Sequence, residues 1–189
     1  MALSATDLCS RALIALGGRP IAAFDEATLE AELSRHLYAP VRDGLLSAYP
    51  WRFAVRQSAL PLLPQAPAAD YTHAFQLPPD FLRALSAGLA EQGRGLAYRI
   101  SGFRLEADTD ALTLTYIARP DESGFPPFFD LALIARLAAE FCLPLTESTS
   151  RAQLLFKLAD DEFRRAKAVD SQQDEPGRIE DFTLVEVRA

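Results

Sequence analysis

The residues able to do chemistry in this chain of 189 residues are few and scattered. Its two histidines, His36 and His73, lie far apart, with no His-x-His or His-xxx-His spacing and no cysteine at a metal-ligand interval. They read as structural or surface residues. Cys9 and Cys142 each fall inside an apolar helical pattern, which suits small core residues better than disulfide partners, ligands or nucleophiles. Asp160, Asp161 and Glu162 are consecutive on a predicted helix. They therefore point to different faces and do not converge as an acid–base pair.

Phosphate and nucleophile motifs fail in the same way. There is no Gly-x-Ser-x-Gly elbow, and Gly88, Gly93 and Gly95 lack the spacing of a dinucleotide fingerprint. Gly17-Gly18 has no Lys-Ser/Thr after it, so it reads as a helix stop before Pro20 rather than a phosphate cradle. No catalytic residue, metal ligand or cofactor is expected, and the chain does not read as an enzyme. The net charge of −7 argues against a protein that grips nucleic acid through its phosphates. The 12 Phe and 5 Tyr are not interleaved with a basic cluster as a single-strand binder requires. A surface past which DNA slides remains compatible with this charge.

The elements behind these residues follow from periodicity. Ser4–Leu16 reads as a helix, with Ser4 and Asp7 as a capping pair and Leu8, Cys9, Ala12, Leu13 and Leu16 on one face. A second helix runs from Asp25 to about Ala48, capped by Asp25 or Thr28, with Leu29, Leu33, Leu37, Val41 and Leu45 in register. Pro40 inside it predicts a bend between Leu37 and Val41. Pro61, Pro64 and Pro67 mark an irregular connection. Strands are expected at Tyr71–Gln76, Phe81–Leu89, Leu96–Ile100, Phe103–Glu106 and Leu112–Ile117, forming a mostly antiparallel sheet of four or five strands. The most apolar helix spans Phe128–Leu143 and should stop at Pro144. A last helix, capped by Thr146 or Ser148, runs to about Val169 with Leu154, Leu155, Leu158 and Phe163 inward.

The fold class is therefore α+β: a bundle of about four helices with an inserted, mostly antiparallel β domain and an extended C-terminal tail. Residues 1–57 form the first half of the helical framework, 58–120 the β insertion, 121–170 the second half and 171–189 the tail. Tyr38, Pro50, Trp51 and Phe53 form the expected structural anchor where the long helix gives way to extended chain. In the tail, Ile179, Phe182, Leu184, Val185 and Val187 return after a polar break and need burial. They can add a strand to the chain's own sheet, or dock on a neighbouring subunit or a partner. No stretch approaches the ~20 apolar residues of a membrane span, and the first sixteen residues lack the pattern of a secretory signal. The expected place of synthesis is a cytoplasm.

Four segments together resemble one family. CSRALIALGGRPIAAFDE is a short helix with a Leu-Gly end and a Pro-Ile run toward an acidic cap. YAPVRDGLLSAYPWRFAVRQSAL is the most specific. YTHAFQLPPDFLRAL and ALTLTYIARPDESGFPPFFDLALIARLAAEFCLPLTES follow in the family's order. With these segments the chain resembles the tail tubular protein A family of tailed phages, the head-to-tail adaptors. The resemblance implies a virion structural protein at the neck. It implies a twelve-subunit homo-oligomeric ring between the portal protein and the tail nozzle or tube protein, through which DNA passes without specific binding. It also implies a helical bundle carrying a β domain. If part of the acidic charge lines the channel, it repels passing phosphates. The competing readings are a small virion-associated hydrolase, which needs a converging polar cluster, and a head-completion stopper that does not touch the portal.

Overall fold

The computed structural model describes residues 3–89 and 92–173. Helix α1 spans Ala5–Ala15 and α2 spans Leu29–Ala48. Six strands follow: β1 Val55–Ala59, β2 His73–Gln76, β3 Phe81–Gly88, β4 Arg99–Ser101, β5 Arg104–Ala107 and β6 Thr113–Ala118. Helices α3, Pro127–Thr146, and α4, Thr149–Ser171, complete the chain order after a short 3-10 turn at Glu122–Gly124. The fold is α+β, four helices with antiparallel sheets inserted between the second and third.

Local chemistry sets the helix ends. Ser4 and Asp7 exchange the two bonds of a capping box. At the other end of α1, Gly18 N donates to Leu13 O and Gly17 N to Ile14 O, while Gly17 takes φ +81°. This is a Schellman ending, and it consumes the amides that a phosphate cradle would offer. Thr28 caps α2, so the helix starts later than Asp25. The carboxylate of Glu26 instead accepts from the amides of Ala22 and Ala23. Helix α2 continues across Pro40. Helix α3 continues past Pro144, which does not stop it. A proline removes a single intrahelical bond, and the last turn closes on Glu147, left-handed at φ 54°, whose amide reaches Leu143 O.

The β part differs from one sheet of four or five strands. It is two three-stranded antiparallel sheets, β1-β6-β3 and β2-β5-β4. Strand β1 was not expected, and it begins at Val55 inside the segment assigned to the helical framework. Strand β3 skips its sequence neighbour β2 and pairs with β6. Its register breaks at Phe81/Arg83 and Ala84/Ser86. These irregularities reset the period-2 alternation, so Phe81, Ala84 and Ala87 face one side while Leu82 and Leu85 face the other.

Three layers result. Helices pack on one face of the middle sheet, where Ile117 of β6 and Leu82 and Leu85 of β3 join Trp51, Phe129, Leu133 and Leu137. The opposite face of the middle sheet, with Leu114, Tyr116 and Ala118, packs on the outer sheet around Phe75, Leu105 and Ala107. Helix α4 meets α3 through Ala152, Ala159 and Ala166, buried at a spacing of seven residues. Leu155 and Phe163 lie half-buried beside them, as expected. Leu154 and Leu158 do not turn inward; they are 58% and 49% exposed. Small side chains let two helices approach closely, and the alanines take the inner face from the leucines.

Candidate functional site

The stretch from Tyr38 to Gln57 sits where helices, middle sheet and C-terminal helix meet. Trp51 is fully buried, and its indole Nε1 donates to Leu45 O at 2.9 Å, so the ring's one polar atom is satisfied. Tyr49, Phe129 and Phe163 meet the indole edge-to-face at 5.0, 5.2 and 5.6 Å. Phe53 is half-buried against the same indole, and Phe125, Phe128 and Phe129 surround it. Pro50 is exposed and ends the helix by its conformational restriction on Tyr49, which is extended at φ −142°.

A carboxylate from the far end of the chain closes this turn. Asp170 of α4 is fully buried, and both its oxygens accept from the backbone N–H of Arg52, at 3.1 and 3.2 Å. Burial pushes its pKa up and the Arg52 amide pulls the other way; the balance stays above the usual range. Asp170 thus acts like a cap supplied from 118 residues away.

Tyr38 anchors a second junction. Its hydroxyl donates to Glu122 at 2.9 Å, and Arg42 reaches the same carboxylate oxygen at 3.1 Å. Burial and the Glu122 carboxylate both raise the tyrosine's pKa. Burial would raise Glu122 as well, but its backbone bond, Tyr38 and Arg42 together hold it below the usual range. Asp43, next along α2, bridges Arg42 and Arg119, which stands just after β6. Asp80 ties Arg56 of β1 to Tyr116 of β6. Charged side chains therefore pin the helical framework to the β part along their shared edge. Arg42 is the most buried of these cations, and its bonds to Asp43 and Glu122 compensate the lost hydration.

The polar residues weighed for chemistry do not converge. His36 stands exposed on α2, while His73 is on β2 with Thr72 at its Nδ1. Cys9 and Cys142 are buried, and burial pushes the Cys9 thiol up to about 12. Among the described residues no group of three or more His, Cys, Asp or Glu side chains is placed to hold a metal. Asp130, on the first turn of α3, has a buried Oδ1 with no hydrogen-bond partner. Burial raises its pKa to about 6, and the Arg11 charge only partly offsets this. A polar hollow on the middle sheet is lined by Gln57, Ser86 and Thr115. The carbonyl of Gly93 already accepts from Ser86 and Thr115 there, and a side chain at Gly93 would collide with Gln57 and Thr115.

Two surfaces stand out instead. At the β4–β5 turn, Phe103 is 83% exposed. Gly102 makes that turn at φ +60°, and Phe103 O accepts from Leu77 N and Gln76 Nε2, so the tip is held by the body of the sheet. Between α2, α3 and α4 lies a groove of about 550 Å³, floored by Leu37, Val41 and Leu45 and walled by Phe163. Pro40 and Gly44 line it as well, which gives the proline and glycine of α2 a shared location. The expected C-terminal contact residues Ile179, Phe182, Leu184, Val185 and Val187 lie outside the described residues.

Sequence reasoning missed Asp170, Asp130 and the groove. Asp170 closes a polar helix and looks like any solvated acid there. Only its distance from Arg52 in space gives it a role.

No family model matches the chain, and no curated protein matches it in sequence. No helix among the described residues is long and apolar enough to cross a membrane.

Proposed function

We propose that this chain is a head-to-tail adaptor of a tailed phage virion, a structural protein that forms a ring joining the portal to the tail and lets DNA pass through. The observation that carries the reading is the resemblance of residues 38–60, YAPVRDGLLSAYPWRFAVRQSAL, to the tail tubular protein A family, with three further segments in the same order. A four-helix framework interrupted by β structure fits the fold that this resemblance implies. Among the described residues no group of three or more His, Cys, Asp or Glu side chains is placed to hold a metal, so a metal-dependent hydrolase finds no support there. The net charge of −7 per chain suits a channel from which phosphates are repelled.

The test mixes the purified full chain with the portal ring of the same particle and images the product by electron microscopy. An added tier with the portal's symmetry is the expected result. An intact portal without a tier would overturn portal binding. It would favour a stopper placed further along the neck, or reopen the search for enzymatic activity.

A further inference from the structure

We propose that the β4–β5 hairpin of one copy seats its tip in the groove between α2, α3 and α4 of a second copy, with Phe103 as the anchor. The inference rests on the reading of the chain as a ring subunit, and it names the two patches that would meet.

Three observations carry it. The first is the hairpin itself. Phe103, at 83%, is more exposed than any other large hydrophobic among the described residues, and it stands on a turn whose backbone is bonded to β2 and to Leu77. A side chain presented on a fixed backbone loses little freedom on docking.

The second is the groove. Leu37, Val41, Leu45 and Phe163 make its inner surface apolar. At Gly44 an added Cβ would meet nothing within 4 Å, so the glycine leaves open space on the α2 wall. At about 550 Å³ the groove has room for an aromatic ring and its turn.

The third is charge. Arg104 follows Phe103 and is exposed, with no ion pair among the described residues. Asp160 stands on the groove's rim with its side chain 69% exposed, and the one cation paired with it among the described residues, Arg136, is 4.0 Å away and already engaged with Glu140 at 2.9 Å. A tip carrying a cation unpaired among the described residues, beside an aromatic, thus matches an apolar groove carrying an under-neutralised acid.

The two patches lie in different parts of the chain, one in the outermost sheet and one among the helices. Such a contact is heterologous: each copy offers its tip to one neighbour and its groove to the other, and the series closes into a ring if the rotation allows.

Cross-linking tests this without deleting the anchor. Cys9 and Cys142 are buried, so added surface thiols dominate the reaction with a short bismaleimide. One full-length variant carries Ser101→Cys beside the tip, the other Ala48→Cys at the groove. Both are mixed in solution and on the portal ring. The expected product is a heterodimer that appears only in the mixture and is lost when Phe103→Asp is added to the first chain. In sedimentation velocity, Arg104→Glu should weaken self-association roughly tenfold, and Asp160→Arg should restore it. A portal-bound tier without the cross-link would overturn the contact and leave the adaptor reading standing. The cross-link in solution without a portal tier would support the contact while the adaptor reading falls. Neither cross-link nor tier would overturn both.

Discussion

Trp51 and Phe103 are both large aromatics next to an arginine, and the chain treats them in opposite ways. Trp51 is wholly buried, its one polar atom is bonded, and rings from α3 and α4 enclose it. Phe103 projects from a hairpin into solvent, and the arginine after it has no partner among the described residues. One aromatic holds three elements of its own chain together. The other contributes nothing to the buried cores of its own chain. Residue type is the same evidence in both places, and only surroundings separate a core anchor from a contact residue.

The contrast can be broken from the Trp51 side with the largest effect. Trp51→Ala should lose about 3–5 kcal/mol, a large part of the total stability of a domain this size. Urea denaturation of the variant should show a sharply lower midpoint or no folded baseline. Asp170→Ala comes next. It strands the Arg52 amide in a part-buried turn and should cost about 1–3 kcal/mol, with Asp170→Asn milder because an amide oxygen still accepts. Proteolysis near residue 52 is a direct readout of that turn.

Asp130 sharpens the comparison in the opposite direction, because it is a polar group that the core does not satisfy. Its folded pKa of about 6 lies above the ordinary 3.8. Its contribution to stability is therefore full below the unfolded value and is lost as pH rises through about 6. Asp130→Asn should thus match the parent in acid and exceed it near neutrality by about 1–2 kcal/mol, allowing for solvent screening. A parallel pH series of denaturation midpoints measures the gap, and curves that stay parallel would contradict it. The smallest expected effect on folding is at the tip. Phe103→Asp should change stability by under about 0.5 kcal/mol, while head-to-tail association falls. If its melting temperature drops as Trp51→Ala's does, the tip belongs to the fold after all.

Much of this architecture was legible because local rules and tertiary packing agree. Ser4 and Asp7 cap α1, Gly17 and Gly18 close it, and the alternation of Leu112–Ile117 falls on strand β6, with Leu114 and Tyr116 toward the outer sheet and Ile117 toward the helices. The misreadings have physical causes. In α4 the large apolar residues drew the prediction toward Leu154 and Leu158, whereas the neighbouring helix packs on alanines. Strand β1 reads VRQSA, polar enough to pass for connection, and β6 recruits it through backbone pairing rather than hydrophobicity. The split into two sheets lies in the choice of partners, β3 with β6 and β2 with β5, which no residue type announces. The paired roles of Phe103 and the groove were hidden for a similar reason, since a hairpin phenylalanine reads as core until the sheet shows which way it faces.

The pairing of β1 with β6 has a consequence for how the molecule could have been assembled over time. Ala54 and Ala118 are bonded neighbours, and the ladder runs from there to Ala59 opposite Thr113. The chain leaves the helices and returns to them through adjacent doors. The outer sheet, all of it strung between those doors, supplies none of the side chains buried in the helical core. It can lengthen, shrink or be exchanged for a different module while the helices keep their places. Lineages descended from one framework would be expected to look alike in their helices and to diverge most in the connections at residues 62–70 and 92–98.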